Sequence, residues 1–405
     1  MASEAEIEYA KRLSNSFLAA TRGDGAVKIS TNGSFDAAKI YTVMSSAAIP
    51  IQRFELTSPA QAQCDASVTI PGSAITMKAP ENCNHYIFNT TKLTSNEVSV
   101  YHFMNIYLSY DVRNNGAPQF YIFDKDRRLI DNFLFGATPF ISDQIRTITE
   151  RSVFIDDFFP KYNICHFMFD KLPRWHIANS HFGERQAVLF NTGEYYSEIF
   201  SRLSACHSAL CPSGARGTVF FSDVVIFSNS TLGLRHPAQH GADLHIDALR
   251  KLRDSVRGVA SSASRRVMLI RKVGLPRQVA NAVDLYPLLQ RHGFELVDAE
   301  ELSAREQIAL FCETSVVMGV HGAGLTNLIF QPQGSVVIEL LPPFIATLSY
   351  WVPATLLGAR YLPLLCDDPE QGRIDSSLVK HNPAANNRRD VVVPVDDLEA
   401  LLKTL

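Results

Sequence analysis

A loop rich in glycine, GVHGAGLTNLIF at residues 319–330, is the first candidate for chemistry in this sequence. Gly319, Gly322 and Gly324 remove side chains where a backbone turns tightly or where a ligand approaches it closely. His321 adds a group that can donate, accept or titrate near neutral pH. We expect the loop to follow a strand and to lead into a helix, whose free N–H groups and positive dipole end suit a diphosphate. A glycine turn without a ligand is the alternative, because the spacing is neither the dinucleotide fingerprint nor a Walker loop.

Three cations and one carboxylate are expected at the same edge of a sheet as this loop. Arg271 and Lys272 end the strand-like run VMLIRK, and Arg277 follows in the next loop. Arginine pairs with phosphate oxygens in bidentate geometry. Glu339 ends the run SVVIEL, where a carboxylate can accept hydrogen bonds from ribose hydroxyls. A surface ion pair for Arg271 and a solvated strand end for Glu339 are the alternatives, and only the joint placement favours a nucleoside diphosphate site.

The segment CHFMFDKLPR supplies a candidate base. His166 and Asp170 lie four residues apart, on one face of a predicted helix. A carboxylate beside an imidazole can fix its tautomer and raise its pKa, which suits deprotonation of a hydroxyl, although such a pair can also serve helix stability alone. His321 is the second candidate for the base, or else a donor to a diphosphate oxygen. Lys171 and Arg174 are expected to face an anionic acceptor or water.

A second pair of carboxylates, Asp124 and Asp126 in YIFDKDRRLI, follows an apolar run. This spacing can hold Mn²⁺ or Mg²⁺ under a nucleotide sugar. The composition between QFYIF and RLIDN is also that of a hairpin turn, which we favour. We therefore expect no metal ion and no other cofactor, with a metal at Asp124 and Asp126 as the alternative.

The elements that must position these residues alternate between apolar strands and amphipathic helices, the pattern of an α/β fold with parallel sheets. Residues 66–136 show short β-like runs, and alternation begins at about residue 152. We place an N-terminal α/β domain at 1–258, with a less regular β-rich first part. A C-terminal, nucleotide-binding Rossmann-like domain is placed at 259–405, and its last helix could pack back. The predicted elements of the second domain are strands RVMLIRK, FELVDA, SVVMGV, SVVIEL and RYLPLL and helices NAVDLYPLLQRHG, SAREQIALFCET, GLTNLIF and YWVPATLLG.

The stretch MGVHGAGLTNLIFQPQGSVVIELLP resembles the central signature of glycosyltransferase family 61. The segments NICHFMFDKLPRW, LIRKVGLPRQVANA and LSAREQIALF fit the same family in the same order, so the likeness covers roughly 155–365. The resemblance implies a GT-B architecture, in which two Rossmann-like domains face each other across a central cleft. It also implies inverting transfer from a nucleotide sugar without an essential metal.

The resemblance assigns the donor side by position. The family often has an acidic residue where Ala282 stands and an aromatic residue where Cys165 stands, so a contact is lost at the first and the acceptor side differs at the second. The donor-binding residues that it implies are Arg271, Arg277, Asn281, Gly322, Ala323, Gly324, Leu325, Asn327 and Glu339, and Lys272 joins them as the neighbouring cation.

The expected function is an inverting glycosyltransferase that uses a nucleoside-diphosphate sugar, with UDP as the expected nucleotide. The acceptor is the hydroxyl of a glycan or of a protein-linked sugar chain. A Rossmann-type oxidoreductase or methyltransferase is one alternative, although its glycine loop would come early in the chain and with different spacing. A non-catalytic nucleotide- or sugar-binding module is the other.

The bulk properties exclude some partners and leave the compartment open. The 405 residues carry a net charge of −3, which gives no sign of a nucleic-acid surface. No apolar run approaches the roughly 18 residues of a transmembrane segment, and residues 1–21 read as an amphipathic helix. The expected location is cytoplasmic as the sequence stands, or the Golgi or ER lumen if a native anchor precedes it. Cys206 and Cys211 are expected to be thiols, with a short disulfide as the alternative.

Overall fold

The computed structural model of the protein describes the parts of the chain that form its two main sheets and the helices around them. The expected N-terminal helix at 1–21, the boundary at 258/259 and Cys211 lie outside the described residues. The described ranges are 56–57, 64–70, 74–76, 79–80, 88, 92–94, 98–112, 118–134, 139–156, 163–190, 193–203, 205–210, 216–227, 246–257, 263–343, 348–373 and 389–405.

A mixed sheet of ten described strands occupies the N-terminal part. Its centre is an antiparallel pair of long strands rich in aromatic and β-branched residues, β5 and β12, which suit a pleated, buried surface. Parallel strands follow on one side of β12 and an antiparallel meander follows β5, in the order β1-β7-β6-β5-β12-β9-β10-β11, with β2 on β5 and β8 on β12; β3 and β4 form a separate pair. The strands are β1 (Leu56–Thr57), β2 (Cys64–Ile70), β3 (Ala74–Thr76), β4 (Lys92–Thr94), β5 (Val98–Val112), β6 (Pro118–Phe123), β7 (Leu129–Leu134), β8 (Ile145–Ile148), β9 (Ser152–Phe154), β10 (Gln186–Leu189), β11 (His207–Ala209) and β12 (Arg216–Phe227).

This first sheet differs from the parallel, Rossmann-like sheet expected for the N-terminal domain. The pairs of β5 with β2, β6 and β12, and of β6 with β7, are antiparallel. The physical reason lies in the connections, because β6 and β7 are joined by a tight hairpin that permits only antiparallel pairing. Among the described residues, the α/β alternation begins with β9, and the described helices follow it.

The second sheet is fully parallel, as expected. Its order, β14-β13-β15-β16-β17, corresponds to 2-1-3-4-5 in chain order, one of the two common arrangements of doubly wound α/β domains. The order of the strands reverses between β13 and β15, the position at which folds of this kind form a crevice outside the carboxyl ends of the strands. The five strands are β13 (Arg265–Ile270), β14 (Phe294–Asp298), β15 (Thr314–Val320), β16 (Val336–Leu341) and β17 (Arg360–Leu365).

Helices lie between the strands of the second sheet along the chain, where the sequence predicts them. A capping box of Ser303 and Glu306 opens one of them, as the sequence predicts. Two segments differ from the expected α-helix: residues 167–171 form a π-helix and residues 323–330 form a 3-10 helix. The helices are α1 (Ile164–His166), the π-helix (Phe167–Lys171), α2 (Leu172–Phe182), α3 (Glu194–Arg202), α4 (Ile246–Arg257), α5 (Ala282–Arg291), a short 3-10 turn (Ala299–Glu301), α6 (Ala304–Cys312), the 3-10 helix (Ala323–Phe330), α7 (Trp351–Leu356) and α8 (Val395–Leu402).

One continuous apolar cluster joins the two sheets through the helices between them. It contains Val153 and Val225 from the first sheet, and Val267 and Val317 from the second. Phe88 packs its ring edge against Trp351 of α7, with centroids 5.1 Å apart. Apolar side chains therefore fill the region between the two sheets and fix the position of one sheet relative to the other.

No described helix has both the length and the apolarity that a membrane span requires. Cys206 is an exposed free thiol.

Candidate active site

The histidine of the glycine loop is held by a buried carboxylate. His321 comes directly after β15, and its backbone N–H donates to Leu340 O at 3.0 Å. Its ring Nδ1 pairs with Oε1 of Glu339, which is 1% exposed, and the hydroxyl of Tyr361 donates to the other oxygen, Oε2. Glu339 therefore orients the imidazole, and Nε2 is the ring nitrogen that remains for a ligand.

This arrangement corrects the expected role of Glu339 as a ribose acceptor. Parallel pairing puts Glu339 opposite Gly319, inside the sheet and not at its open edge. Both carboxylate oxygens are used within the protein, so neither is presented to a sugar.

Two arginines meet the glycine turn at the crevice between β13 and β15. Nη1 of Arg277 donates to the backbone oxygen of His321 at 2.6 Å. Nη1 of Arg271 lies over Gly322, so closely that a Cβ at Gly322 would stand 2.7 Å from it. Gly322 is buried, and its lack of a side chain is what lets the guanidinium approach the backbone.

These two guanidinium groups carry positive charge that the described residues do not neutralise. Nε of Arg271 and Nε of Arg277 are both buried without a hydrogen-bond partner, and no described carboxylate forms an ion pair with either. Burial lowers the pKa of Arg277, and the adjacent charge of Arg271 lowers it further. Arg277 also adopts φ 67°, a left-handed conformation that costs free energy in a residue other than glycine. An anion bound between the two side chains would relieve the repulsion and fill the open donor positions.

The turn itself supplies backbone donors. Leu325 N donates to Gly322 O at 3.0 Å, so the N–H groups of Ala323 and Gly324 precede the first intrahelical bond and have no partner within the helix. The segment that follows is a 3-10 helix of eight residues and not the expected α-helix, so its aligned dipole is short.

Three predicted donor residues are used inside the protein. Leu325 is 1% exposed and belongs to the apolar cluster. The amide of Asn327 is fully buried; it accepts from the hydroxyl of Tyr195 at 2.9 Å and donates to Gln307 at 3.0 Å. The amide of Asn281 donates to Val393 O at 2.8 Å and accepts from Val393 N at 2.9 Å.

Leu325, Asn327 and Asn281 therefore stabilise the site through contacts within the protein. The prediction that they contact the ligand directly is wrong. Lys272 is exposed beside Arg271, and Ala282, at the position where the family often has an acidic residue, opens α5.

The second histidine–carboxylate pair forms as predicted. Asn163 caps α1 by accepting from the backbone N–H groups of Cys165 and His166. Nδ1 of His166 pairs with Oδ2 of Asp170, whose side chain is 4% exposed, whereas the His166 side chain is 15% exposed. Asp170 stands in the π-helix, a rare form that recurs at functional sites. The carboxylate fixes Nδ1 as the protonated nitrogen, so Nε2 is the basic one.

Lys171 and Arg174 do not face water or an acceptor. Nζ of Lys171 pairs with Asp156, and both side chains are buried. Asp156 also accepts from Phe190 N at 2.5 Å, and Arg174 donates to its backbone oxygen at 3.2 Å. The expectation from amino-acid type alone fails here because a buried carboxylate at the end of β9 compensates the charge. These residues anchor the π-helix to the first sheet.

Cys165 and Tyr350, which the sequence did not single out as a pair, connect the two histidine sites. Tyr350 is 3% exposed, and its ring centroid lies 5.1 Å from that of His321. The Cys165 thiol lies beside the Tyr350 hydroxyl, and burial, followed by the charge of Asp170, raises the pKa of Cys165 to about 12. Cys165 is therefore a neutral thiol that packs α1 against the turn. Tyr350 and Tyr361 sit within apolar runs, where no spacing marks them as polar contacts.

Asp124 and Asp126 lie in a hairpin turn, which is the interpretation that the sequence favoured. Oδ1 of Asp124 accepts from Asp126 N at 2.9 Å and from Arg128 N at 2.8 Å, and Oδ2 accepts from Arg128 Nε at 2.7 Å. Asp124 is 1% exposed and its oxygens are engaged in the turn between β6 and β7. In the described parts of the chain, no group of three or more His, Cys, Asp and Glu side chains is arranged to hold a metal ion.

Comparison with known proteins shows that this region is similar to a family of glycosyltransferases. Residues 164–338 match the family model described as Glycosyltransferase 61. Two curated relatives from Oryza sativa subsp. japonica are Alpha-1,3-arabinosyltransferase XAT3, 34% identical over 102 residues, and Beta-1,2-xylosyltransferase XAX1, 31% identical over 139 residues. The matches cover 23% and 33% of this chain, and 18% and 23% of the relatives, so the chain spans less than a quarter of either one.

Among solved structures, the bacterial iron-containing dodecameric glycosyltransferase TibC from enterotoxigenic E. coli overlaps 67% of this chain and 80% of its own. Its TM-score is 0.27 and its sequence identity is 8%. The family match itself is specific, because it runs from α1 through the glycine turn. The matched residues 164–338 include His166, Asp170, both site arginines and His321, so the candidate site lies within the region that is similar to the Glycosyltransferase 61 family.

Proposed function

We propose that the protein is a glycosyltransferase that moves a sugar from a nucleoside-diphosphate donor, UDP-linked in the first instance, to a hydroxyl of a glycan or glycoprotein. The single observation that carries this proposal is the pair of half-buried guanidinium groups, Arg271 and Arg277, beside the glycine turn at the reversal point of the parallel sheet. A diphosphate is the anion that matches two arginine forks and a row of backbone N–H groups. The family match of residues 164–338 supports the reaction class.

The leaving group would be stabilised at the turn. Sugar transfer breaks the bond between the anomeric carbon and the diphosphate oxygen, and the electron pair of that bond passes to the diphosphate. Arg271 and Arg277 would bind the developing charge. His321 would donate a hydrogen bond from Nε2 in its doubly protonated form, with Glu339 accepting from Nδ1–H. Preorganised donors of this kind need no further reorientation during the reaction.

The attacking hydroxyl would be activated on the α1 side. His166 would accept the proton of the acceptor hydroxyl at Nε2 while the oxygen forms its bond to the anomeric carbon, and Asp170 would stabilise the resulting imidazolium. Attack from the face opposite the leaving group inverts the anomeric configuration. Tyr350 and Cys165 stand between the two histidine pairs and would hold them on opposite sides of the reacting carbon.

The proposal extends to a GT-B arrangement and to a reaction that needs no metal. The parallel sheet would form the donor side and the mixed sheet, through α1 and the π-helix, the acceptor side. Two arginines can replace a divalent cation as the counter-charge of a diphosphate. Turnover that survives chelation by EDTA is the expected result, and loss of turnover that Mn²⁺ restores would contradict it.

A thermal-shift measurement tests the donor site. A ligand that binds the folded state raises the melting temperature, so UDP-sugars should stabilise the wild type more than GDP- or CMP-sugars do. Arg271→Ala should reduce the shift strongly, whereas Lys272→Ala removes an exposed neighbouring charge and should leave most of it. Equal shifts in Arg271→Ala and wild type would remove the arginine from the site and overturn the proposal.

A second measurement separates an enzyme from a binding module. His166→Ala should abolish turnover and keep the donor-induced shift, because the base does not contact the diphosphate. Unchanged turnover in this variant would exclude His166 as the base.

A further inference from the structure

The described residues line an open cavity of about 490 Å³ that the reaction centre does not use. It lies between α2 and α4, and its volume falls within the range of about 300–1,000 Å³ typical of small-molecule sites. Part of its lining is apolar, from Leu172 and Pro173 of α2, Leu203 after α3, and Leu252 of α4. Trp175 contributes an aromatic side chain to the same wall.

The polar part of the lining carries balanced charge. His176, Lys251, Asp254 and Ser255 complete the cavity wall. Burial and the neighbouring Lys251 both lower the pKa of His176, so its imidazole is neutral at pH 7 and can donate one hydrogen bond and accept another. Lys251 and Asp254 contribute one charge of each sign. Such a lining suits an uncharged ligand with many hydroxyl groups better than a phosphate or a carboxylate.

The aromatic side chain is held in a fixed orientation. Nε1 of Trp175 donates to Arg185 O at 3.0 Å, and its ring meets Phe200 edge-on, with centroids 6.4 Å apart at 81°. An indole with a fixed ring plane offers a flat apolar surface to the C–H face of a sugar ring, while the hydroxyls of the sugar reach polar neighbours. Because the ring is already ordered, binding loses little side-chain entropy.

The opposite wall, α4, is fixed to the C-terminal end of α7. Arg250 and Arg253 of α4 donate to the backbone oxygens of Leu356 and Leu357, each at 3.1 Å. Leu172 and Leu252 of the cavity wall belong to the apolar cluster that joins the two sheets. Trp175 follows His166 by nine residues along one helical segment, which corresponds to about 13 Å. A short chain of sugar units can span that length.

We propose that this cavity is a binding subsite for a neutral oligosaccharide, occupied by a sugar unit of the acceptor chain remote from the hydroxyl that reacts. The subsite rests on the proposed function for its role in acceptor binding, but the binding of sugar by the cavity does not require catalysis. It makes the length of the acceptor a determinant of affinity.

The two tryptophans of the chain provide the test. Trp351 is 1% exposed and packs in the core, so Trp175 is the tryptophan that a ligand can contact. Neutral cello-, xylo-, manno- and chito-oligosaccharides, from disaccharide to hexasaccharide, would be titrated into the full chain without donor. We expect saturable quenching of tryptophan emission by at least one series, tighter for the longer members. The quenching should persist in Trp351→Phe and disappear in Trp175→Phe, which retains an aromatic ring without indole emission.

Calorimetry with the best oligosaccharide supplies the affinity. Trp175→Ala should weaken binding by about tenfold or more, as expected for loss of an aromatic anchor. Lys251→Ala, an exposed change that leaves the core intact, gives a second reading if Trp175→Ala does not fold. No binding by any of the four series, or equal affinity in the Trp175 and Lys251 variants and the wild type, would overturn the subsite.

The outcome is separable from that of the donor site. Oligosaccharide binding that depends on Trp175, without stabilisation by any nucleotide sugar, would keep the subsite and reject the glycosyltransferase proposal. Donor binding and turnover that do not respond to Trp175→Ala at any acceptor length would keep the glycosyltransferase proposal and reject the subsite.

Discussion

Alanine substitutions at Gly319, Gly322 and Gly324 distinguish a loss of anion affinity from a loss of folding stability. In Gly322→Ala the new Cβ would stand 2.7 Å from Nη1 of Arg271, far inside normal contact. The φ of Gly322 is 170°, extended backbone that alanine adopts readily, so the backbone is not strained. The guanidinium is the mobile end of a long side chain and moves away. We therefore expect nearly wild-type stability and a displaced arginine.

The effect on affinity follows from the contact that is lost. A hydrogen bond to a charged group is worth about 1.5–3 kcal/mol, so loss of the Arg271 contact should raise the Kd for UDP by about ten- to a hundred-and-fifty-fold. Isothermal titration calorimetry with UDP measures this, and urea unfolding measures the stability of the same samples.

Gly324→Ala and Gly319→Ala are the matched controls. At Gly324 a Cβ would meet only Leu269 Cδ1, at an ordinary 3.5 Å, so both affinity and stability should stay close to wild type. At Gly319 it would come within 3.2 Å of Leu269 Cβ, in a packed core, and overpacking should cost about 1–3 kcal/mol of stability. A Gly322→Ala protein that binds UDP as tightly as Gly324→Ala does would refute the placement of Arg271 at the anion site.

Three further substitutions test the two histidine–carboxylate pairs and one carboxylate of the first sheet. Asp170→Asn removes the carboxylate that orients His166, so turnover should fall by about 10²–10⁴-fold at unchanged donor affinity; equal kcat would contradict the assignment of the base. Glu339→Gln weakens a buried acceptor of two hydrogen bonds, and urea unfolding should show a loss of about 1–3 kcal/mol; wild-type stability would contradict its bracing role. Burial tends to raise the pKa of Asp223, but hydrogen bonds from Arg185 and His102 outweigh it and lower the pKa below the unfolded value of 3.8. The contribution of Asp223 to the free energy of unfolding is therefore complete above about pH 4, and it is lost as the pH falls through the folded pKa. In Asp223→Asn, the pH dependence of the urea midpoint should lack this step.

The sequence predicted the framework of the site because its signals are local. Alternating apolar strands and helices after residue 264, the capping box at Ser303 and the i,i+4 pair at His166 each depend on neighbours within one turn or one strand. Arg271, Arg277 and the glycine turn meet as expected, since carboxyl ends of parallel strands share one edge.

What the sequence could not predict depends on partners distant in the chain. Glu339, Asn281 and Asn327 have the chemistry of ligand contacts, and only the pairing with Tyr361, Val393 and Gln307 shows that they brace the site. The π-helix at 167–171 has no signature in composition, because it differs from an α-helix only by a shifted hydrogen bond. The mixed pairing of the first sheet likewise arises between strands separated by more than a hundred residues, as in β5 and β12.

A crystal structure of the protein with UDP tests the central claim most directly. The account predicts a diphosphate between the guanidinium groups of Arg271 and Arg277, within hydrogen-bond distance of Nε2 of His321 and of the N–H groups of residues 322–324. Nucleotide bound elsewhere with the two arginines still unpaired would contradict it.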